Sequence, residues 1–339
     1  MRYGWFAMIF VFIACRNVEQ PHLTDSELLV RVPAGFPSLE YPADNVPTRL
    51  RVELGRRLFY DSRLSEDETV NCGSCHVLSA AFTDGRITSS GLHGIAGKRN
   101  APTLVNLAWM KRLMMEGGVP TLETQALAPL HDSTEMSPSM MPILARLNGD
   151  AYLKELARAA YGRDSIDAFV LTRALACFQR TFMSGDGRYD RYLQGKKDQM
   201  NEKELRGKEL FFSAKTQCSE CHSGVFFTDM DYHNIGLEEV YADDGKARAT
   251  HRDEDVGRFK TPTLRNIQLT APYMHDGSMG SLEEVIAFYN AGGRAHPNKD
   301  SRIHALALTS SEQADLMAFL TTLTDWNFVQ NEDLLPLMR

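Results

Sequence analysis

Two short stretches, Cys72-Gly73-Ser74-Cys75-His76 and Cys218-Ser219-Glu220-Cys221-His222, decide how this sequence folds. In each, two thiols stand three residues apart and an imidazole follows, which is the pattern that attaches a c-type haem and places a histidine below its iron. A thioredoxin-like dithiol does not require this histidine, and a zinc finger needs further ligands at finger-like spacing, which are absent. The sequence therefore predicts two covalently bound haem c groups. The predicted attachment residues are Cys72, Cys75, Cys218 and Cys221, and the predicted proximal iron ligands are His76 and His222.

Length and charge limit the class of protein further. A chain of 339 residues is long enough for about two domains of ordinary size. Its 43% hydrophobic and 24% charged residues are typical of a folded globular protein. The formal net charge of −7 argues against the basic face that nucleic-acid binding requires, so nucleic acid is excluded as a partner.

The N-terminus has the pattern of an export signal. Arg2 precedes a short apolar run, residues 5–14, and Cys15 opens a polar stretch. The run is too short to cross a bilayer, and its layout is typical of a secretory signal peptide. Ile13-Ala14-Cys15 also resembles a bacterial lipoprotein cleavage box, so residues 1–15 are predicted to be a signal peptide with a lipid-bearing cysteine. We expect an exported, periplasmic protein anchored to the membrane. The alternative is an ordinary signal cleaved a few residues later.

The two halves of the chain repeat one another. Pro102-Thr103-Leu104 with Asn106 recurs as Pro262-Thr263-Leu264 with Asn266. The same offset along the chain relates Gly117 to Gly277 and Leu122-Glu123 to Leu282-Glu283. One constant register indicates a tandem duplication of a haem-binding helical unit. Strand-like alternation is scarce, so the predicted fold class is mainly α, with two tandem cytochrome c-like haem domains. Their predicted bounds are residues 45–190 and 200–330.

Helix signals mark each half. Thr48 is a suitable N-cap for a first helix, and residues 165–183 carry one broad apolar face. Cys177 belongs to that face, so we expect a reduced core residue rather than a redox centre. Residues 184–204 are polar and punctuated by glycine, which predicts a linker, and Leu205 restarts a helix ahead of the second motif.

The ligand on the far side of each iron decides the chemistry, because an iron with both axial positions filled carries electrons while an open one binds peroxide. Ser281 and Glu284 form a capping box that predicts a helix, and Tyr289 lies two turns into it. Its counterpart in the first half, at the offset of the repeat, is Pro129, which has no group that binds iron. We therefore expect a tyrosine-ligated second haem and an open first haem, with an ordinary core tyrosine as the alternative. The rival ligands are His93, Met279 and His275, of which only His93 is expected near the first haem.

With these residues assembled, the chain resembles the bacterial dihaem cytochrome c peroxidase superfamily, and within it the MauG-like branch. The resemblance covers roughly residues 45–330. Its further signatures are Arg99-Asn100-Ala101-Pro102-Thr103, Leu122-Glu123-Thr124-Gln125-Ala126, Pro129-Leu130, Glu135-Met136 and the stretch from Thr261 to Gly277. The resemblance implies a peroxidatic first haem with Gln125 and Glu135 as distal catalytic residues, and an electron-transfer second haem. A tyrosine at position 289 is the MauG-like feature, because the peroxidases proper carry a methionine ligand there.

The resemblance also implies a calcium ion between the haems, held by the Asn100 side chain and the backbone carbonyls of Thr270 and Pro272. Oxygen ligands suit this hard cation, and water or nothing at the site is the alternative. Met115 replaces the family's usual inter-haem tryptophan, which predicts another path or rate for electron transfer. His93 lies near the position of a histidine that closes the resting first haem in many members. It is therefore a candidate reversible iron ligand, with an ordinary loop histidine as the alternative.

These features leave three hypotheses about function. The main one is an oxidoreductase of the cytochrome-c peroxidase type, which reduces hydrogen peroxide to water with electrons from a small periplasmic cytochrome c or copper protein. The first alternative is a MauG-like oxidase that uses peroxide to oxidise a protein or organic substrate, favoured by Tyr289 because a phenolate ligand lowers the haem potential. The second alternative is a dihaem electron carrier without catalysis. A homodimer is a candidate assembly.

Overall fold

The structure of the chain, a computed structural model, describes Val30 and residues 32–137 and 139–337. These residues are mainly helical, as predicted, and carry one antiparallel strand pair, Tyr232–His233 with Phe259–Lys260. The α-helices of this part of the chain span Arg49–Phe59, Cys72–Cys75, Leu122–Gln125, Leu127–Leu130, Met140–Asn148, Ala151–Tyr161, Ala168–Gln179, Arg188–Leu193, Glu202–Phe211, Cys218–Cys221, Ala247–Thr250, Leu282–Ala291, Ser310–Thr321 and Trp326–Val329. The predicted signal peptide, residues 1–15 with Cys15, lies outside the described residues. None of the helices that the structure describes is long and apolar enough to cross a membrane.

Each half is built on two helices that cross at a glycine. The pairs are Arg49–Phe59 with Ala168–Gln179, and Glu202–Phe211 with Ser310–Thr321. A Cβ added to Gly55 would lie 2.0 Å from the carbonyl oxygen of Ala174, and one added to Gly207 would lie 1.8 Å from that of Asp315. Glycine alone lets the two backbones approach so closely. The same packing solution occurs in both halves, as expected for a duplication.

An aromatic triad lies in the core of each half. The triads are Phe59, Phe82 and Phe178 in the first half and Phe211, Phe227 and Phe319 in the second. The ring centroids of Phe59 and Phe178 are 5.4 Å apart, and those of Phe211 and Phe319 are 5.2 Å apart. Phe82 and Phe227 each follow a haem motif in the sequence. Core packing therefore fixes the loop that comes directly after each motif.

The backbone repeats at the offset that the sequence predicted. Left-handed backbone occurs at Asn106 and Asn266, at Met114 and Met274, and at Gly117 and Gly277. The isolated bridge between Leu113 and Val119 recurs between Tyr273 and Met279. Because left-handed backbone is uncommon for residues other than glycine, this match is specific. The duplication read from the sequence is present in the fold.

A buried hydrogen-bond network, called the seam below, joins the two halves through Asn106, Ser184, Asn266 and Asp325. The Nδ2 of Asn106 donates to the Ser184 carbonyl at 2.9 Å, and the Nδ2 of Asn266 donates to the Ser184 hydroxyl at 2.9 Å. Asp325 Oδ2 accepts the two backbone N–H groups that follow Ser184, at 3.0 and 2.9 Å. All four residues are buried. Ser184 thus bonds to both copies of the repeated asparagine.

The prediction of a linker at residues 184–204 is wrong in part. This segment contains helix Arg188–Leu193, and Tyr189 packs into the core of the second half. One of its polar residues is paired within the protein, because Asp190 binds the guanidinium of Arg265, whereas residues 193–198 are exposed. Near the C-terminus, Phe328 packs against the core of the first half. The domain bounds 45–190 and 200–330 stay a prediction.

The local helix signals are largely confirmed. Thr48 Oγ1 accepts the N–H of Arg51 at 3.4 Å and begins helix Arg49–Phe59. The predicted helix 165–183 is shorter, Ala168–Gln179, because the side chain of Asp167 caps it. Cys177 is fully buried on this helix, as expected.

Candidate haem centres

Each Cys-x-x-Cys-His motif forms one short helical turn. Helix Cys72–Cys75 follows Asn71, whose N–H donates to Ser74 Oγ at 3.1 Å. Helix Cys218–Cys221 follows a left-handed Gln217 with φ 52°. In both motifs the histidine N–H donates to the carbonyl of the first cysteine at 2.9 Å. The turn therefore holds two thiols and one imidazole in a fixed local arrangement.

The two motif histidines are oriented in the same way. Nδ1 of His76 lies 2.8 Å from the Phe82 carbonyl oxygen, and Nδ1 of His222 lies 3.1 Å from that of Phe227. A carbonyl only accepts, so Nδ1 carries the proton and Nε2 keeps the lone pair that binds a metal. Burial lowers the pKa of both imidazoles, which favours the neutral, metal-binding form. Two thiols with a neutral imidazole of fixed tautomer fit the donor set of a c-type haem.

Glu135 lies beside the first motif. Burial is the main cause that raises the pKa of the Cys75 thiol, and the negative charges of Asp84 and Glu135 add to it. The carboxyl of Glu135 is solvent-accessible, yet the protein atoms packed around it and the charge of Asp132 raise its own pKa. Glu135 is therefore near enough to Cys75 for its charge to act on that thiol.

The loop that carries His93 packs on the backbone of Glu135. The N–H of Leu92 donates to the Glu135 carbonyl at 3.0 Å. His93 has left-handed backbone with φ 54°, and its side chain is 62% exposed. Its backbone N–H and its Nδ1 lie 3.1 and 3.3 Å from Asp67 Oδ2. His93 is thus paired with Asp67 in this structure, and its role as a reversible iron ligand stays a prediction.

Gln125 lies on the side of the first half that faces the second. It ends helix Leu122–Gln125, and its Nε2 donates to Met114 Sδ at 3.9 Å. Gln125, Met114 and Met115 line one cavity with residues of the second motif. Within the described residues, no hydrogen bond joins Gln125 to Glu135. Pro129 belongs to the next short helix, Leu127–Leu130.

Tyr289 lies beside the second motif. It is on helix Leu282–Ala291, which Ser281 begins by accepting the N–H of Glu284 at 3.2 Å. The predicted capping box is only half formed, because the Glu284 carboxylate accepts the N–H of Gly280 instead of that of Ser281. Tyr289, Cys218, Cys221 and His222 line a cavity of about 370 Å³. Burial first, and then the charges of the two thiols, raise the pKa of the Tyr289 phenol.

The rival ligands of the second haem are placed differently. His275 lines the same cavity, and its ring stacks on Phe259 with centroids 3.9 Å apart. Met279 is not among the described residues that line this cavity, and its backbone pairs with Tyr273. Of the candidates, Tyr289 and His275 share the cavity with the second motif.

The three predicted calcium ligands line the same large cavity. Asn100, Thr270 and Pro272 all line it. Asn100 Nδ2 donates to the Arg86 carbonyl at 2.8 Å, which leaves its Oδ1 as an acceptor. The N–H of Asn100 donates to the His275 carbonyl at 2.8 Å, and this bond ties the first half to the second. An amide oxygen and nearby backbone carbonyls are the ligand type that calcium prefers.

A polar cluster beside the second motif was not predicted from the sequence. His233 Nε2 lies 2.9 Å from Asp229 Oδ2, and its Nδ1 lies 2.8 Å from Asp300 Oδ2. Arg302 Nη2 donates to the same Asp300 oxygen at 2.6 Å. The N–H of Asp229 donates to the Cys221 carbonyl at 2.7 Å, which ties the cluster to the motif. The spacing of Asp229 and His233, four positions apart directly after the motif, was the available signal.

Known proteins are similar to this chain in sequence. Residues 49–198 match the family model described as di-haem cytochrome c peroxidase. The chain is 37% identical over 313 residues to the methylamine utilization protein MauG of Methylorubrum extorquens, covering 91% of this chain and 87% of that protein. It is 34% identical over 332 residues to the cytochrome-c peroxidase IdrP1 of Denitromonas iodatirespirans, covering 85% of each chain.

One solved structure is similar over nearly its whole length. It is described as a MauG-like protein associated with microbial copper homeostasis. The two chains superpose with a TM-score of 0.86 at 38% sequence identity, covering 90% of this chain and 98% of the other. The similarity therefore includes both halves of the duplicated fold.

Proposed function

Because the chain belongs to the dihaem cytochrome c peroxidase family, we propose that it is a periplasmic peroxidase that reduces hydrogen peroxide at the haem of its first motif. We take from the family that the chain binds two haem c groups and that its substrate is peroxide. The observation that carries the proposal is the place of Glu135 near Cys75, where the N–H of Leu92 donates to the Glu135 carbonyl at 3.0 Å. The surrounding protein atoms and the charge of Asp132 also raise the pKa of its carboxyl. A group of this kind is suited to receive a proton and to return it.

The first haem would supply the iron at which peroxide is reduced. Glu135 accepts the proton of the inner peroxide oxygen and returns it to the outer oxygen, which leaves as water. Gln125 orients the peroxide through its amide. Proton transfer by a positioned side chain commonly contributes about 10²–10⁴-fold to a rate. Two electrons and two further protons complete the reduction of peroxide to two waters, and the electrons come from a redox partner.

The test is Glu135→Gln, which keeps the shape of the side chain and removes its base. We expect kcat for peroxide to fall about 10²–10⁴-fold with haem content unchanged. Glu155→Gln is the matched control, because Glu155 is an exposed acid on helix Ala151–Tyr161. If Glu135→Gln turns over peroxide at the rate of the control variant, the proposed role of Glu135 is wrong.

A second candidate function is favoured by Tyr289. In this reading the chain directs the oxidising power of peroxide to a protein or organic substrate rather than to a cytochrome. Burial raises the pKa of the Tyr289 phenol, so a phenolate forms there only beside a compensating cation, which a ferric iron provides. An anionic oxygen ligand lowers the reduction potential of a haem relative to a thioether. The position of Tyr289 beside Cys218 and Cys221 supports this candidate.

Tyr289→Phe tests the second candidate, because it removes only the oxygen. We expect the reduction potential of the second haem to rise, while that of the first stays at the wild-type value. Tyr241→Phe is the control, since Tyr241 lines the same cavity and its hydroxyl donates to Asn234. An unmoved potential in Tyr289→Phe would remove the basis for tyrosine ligation.

We also propose a cellular location, an electron donor, a calcium site and an assembly. The protein is exported through its signal peptide, residues 1–15, and is held at the membrane by lipid on Cys15, in keeping with the attachment of c-type haem outside the cytoplasm. A small periplasmic cytochrome c or copper protein donates the electrons. One calcium ion binds Asn100, Thr270 and Pro272, and this site is supported by the fact that all three residues line the same cavity. Homodimerisation is the candidate assembly.

A further inference from the structure

The loop after each motif is held by the same threonine turn in both halves. Thr103 Oγ1 donates to the Ala81 carbonyl and Thr263 Oγ1 donates to the Phe226 carbonyl, both at 2.6 Å. Each threonine oxygen also accepts the N–H of the residue two positions later, at 3.2 Å. The carbonyls held in this way directly precede Phe82 and Phe227, whose own carbonyls accept from the two motif histidines. The repeated turn thus supports the bond that orients each imidazole.

The residue that ends this turn differs between the halves. In the first half it is Val105, which is buried in the core. In the second half it is Arg265, whose Nε donates to the Val225 carbonyl at 2.7 Å. The guanidinium of Arg265 makes two bonds of 2.9 Å to the carboxylate of Asp190, and the two side chains are 2% and 9% exposed. A buried, bidentate ion pair therefore clamps the second loop, and the first loop has an apolar residue at the same place.

We propose that Arg265, locked to Asp190, is a positioning residue of the second haem. It holds the loop from Val225 to Phe227 and thereby sets the strength of the hydrogen bond from His222 Nδ1. The guanidinium also lies 5.8 Å from the centre of the Phe227 ring, on the residue whose carbonyl accepts that bond. The two copies of the repeat therefore differ on the histidine side of the haem as well as at Tyr289 and Pro129. This inference rests on the proposed ligation of the second haem by His222.

The expected effect follows from the chemistry of the imidazole. A hydrogen bond from Nδ1 makes a histidine a more basic ligand, and a more basic ligand stabilises ferric over ferrous iron. The bond is 3.1 Å in the clamped second half and 2.8 Å in the first half, which has no clamp. If the clamp is removed, the second loop should relax towards the geometry of the first and this bond should strengthen. The reduction potential of the second haem should then fall. Partners of metal-bound histidines commonly change metal affinity or activity about tenfold or more, and a tenfold change in a one-electron equilibrium is about 59 mV.

The test variant is Arg265→Met with Asp190→Asn, because removal of both charges avoids leaving one buried ion unpaired. The control is Arg206→Met with Asp315→Asn, a pair whose arginine is 55% exposed. That pair is also bidentate, with bonds of 2.8 and 3.2 Å, but it joins helices Glu202–Phe211 and Ser310–Thr321. Potentials and electron paramagnetic resonance spectra of the haem-loaded proteins are measured, with the first haem as internal reference. We expect only the second haem to change, and only in the test variant. Equal potentials in the test variant and wild type would overturn the inference.

A second pair of variants keeps the inference testable if the double variant fails to fold. Thr263→Val and Thr103→Val each remove one hydroxyl that holds a loop and leave the ion pair in place. We expect Thr263→Val to shift the potential of the second haem alone and Thr103→Val to shift that of the first alone. Shifts of both haems in either variant would contradict loop positioning. The pyridine haemochrome assay counts haems, so a count of one haem per chain in the wild type would contradict the proposed haem attachment at the second motif rather than the role of Arg265.

Discussion

Our main prediction about stability concerns Asp325, which accepts several hydrogen bonds in the seam. Asp325 Oδ2 accepts the N–H of Gly185 at 3.0 Å and the hydroxyl of Ser184 at 3.3 Å, and both partners are buried. Asp325 Oδ1 accepts the N–H of Phe328 at 3.0 Å and caps a short helix. Replacement by alanine leaves two buried donors without acceptors, at about 1–3 kcal/mol each, and removes a cap worth about 1 kcal/mol. We expect Asp325→Ala to lower the free energy of unfolding by roughly 4 kcal/mol.

The assay is urea unfolding of the haem-loaded protein, followed by far-ultraviolet circular dichroism and by Soret absorbance. Asp325→Asn keeps one acceptor oxygen and should lose about half as much stability as the alanine variant. Asp333→Ala is the control, because Asp333 is exposed, and it should stay within about 0.5 kcal/mol of wild type. A loss below about 1 kcal/mol in Asp325→Ala would show that the seam does not stabilise the fold as its bonds indicate.

Further predictions concern acid–base chemistry, packing and calcium. The charge of Asp132 helps to raise the pKa of Glu135, so Asp132→Asn should lower that pKa and move the acid limb of the peroxidase pH profile to lower pH; an unmoved limb would contradict Glu135 as the base. Gly207→Ala forces a Cβ to within 1.8 Å of a backbone oxygen, so it should cost about 1–3 kcal/mol in thermal unfolding, and a neutral result would refute the helix contact. Asn100→Ala should weaken calcium binding about tenfold in calorimetry, and unchanged affinity would place the ion elsewhere.

The sequence predicted the features that covalent chemistry and repetition impose. The haem motifs need their cysteines and histidine at a fixed spacing, so they can be recognised from the sequence alone. The constant offset between the halves reappears as left-handed backbone at Asn106 and Asn266 because the copied turns need the same conformation. Tyr289 was found in the same way, as the residue that breaks the match with Pro129. It lies beside the second motif, as its proposed role requires.

The features that could not be predicted from the sequence are contacts between polar side chains that are distant in the chain. Asp190 lies in a stretch that looks solvated, yet its partner Arg265 is 75 residues away in the chain and both are buried. The polar composition of residues 184–204 therefore predicts a linker, although this segment contains Asp190, one partner of the ion pair. His233 was missed for a related reason, because its second carboxylate, Asp300, is 67 residues away. Local patterns carry no information about which distant charge will neutralise a polar side chain.

One duplicated unit has, we propose, produced two unlike haem sites, one open beside Glu135 and one closed by Tyr289. The most direct measurement is a cyanide titration of the ferric, haem-loaded protein, followed by Soret absorbance and by electron paramagnetic resonance. We expect one equivalent of cyanide to bind per chain and the spectrum of the tyrosine-ligated haem to stay unchanged. Binding at both haems, or at neither, would contradict this asymmetry.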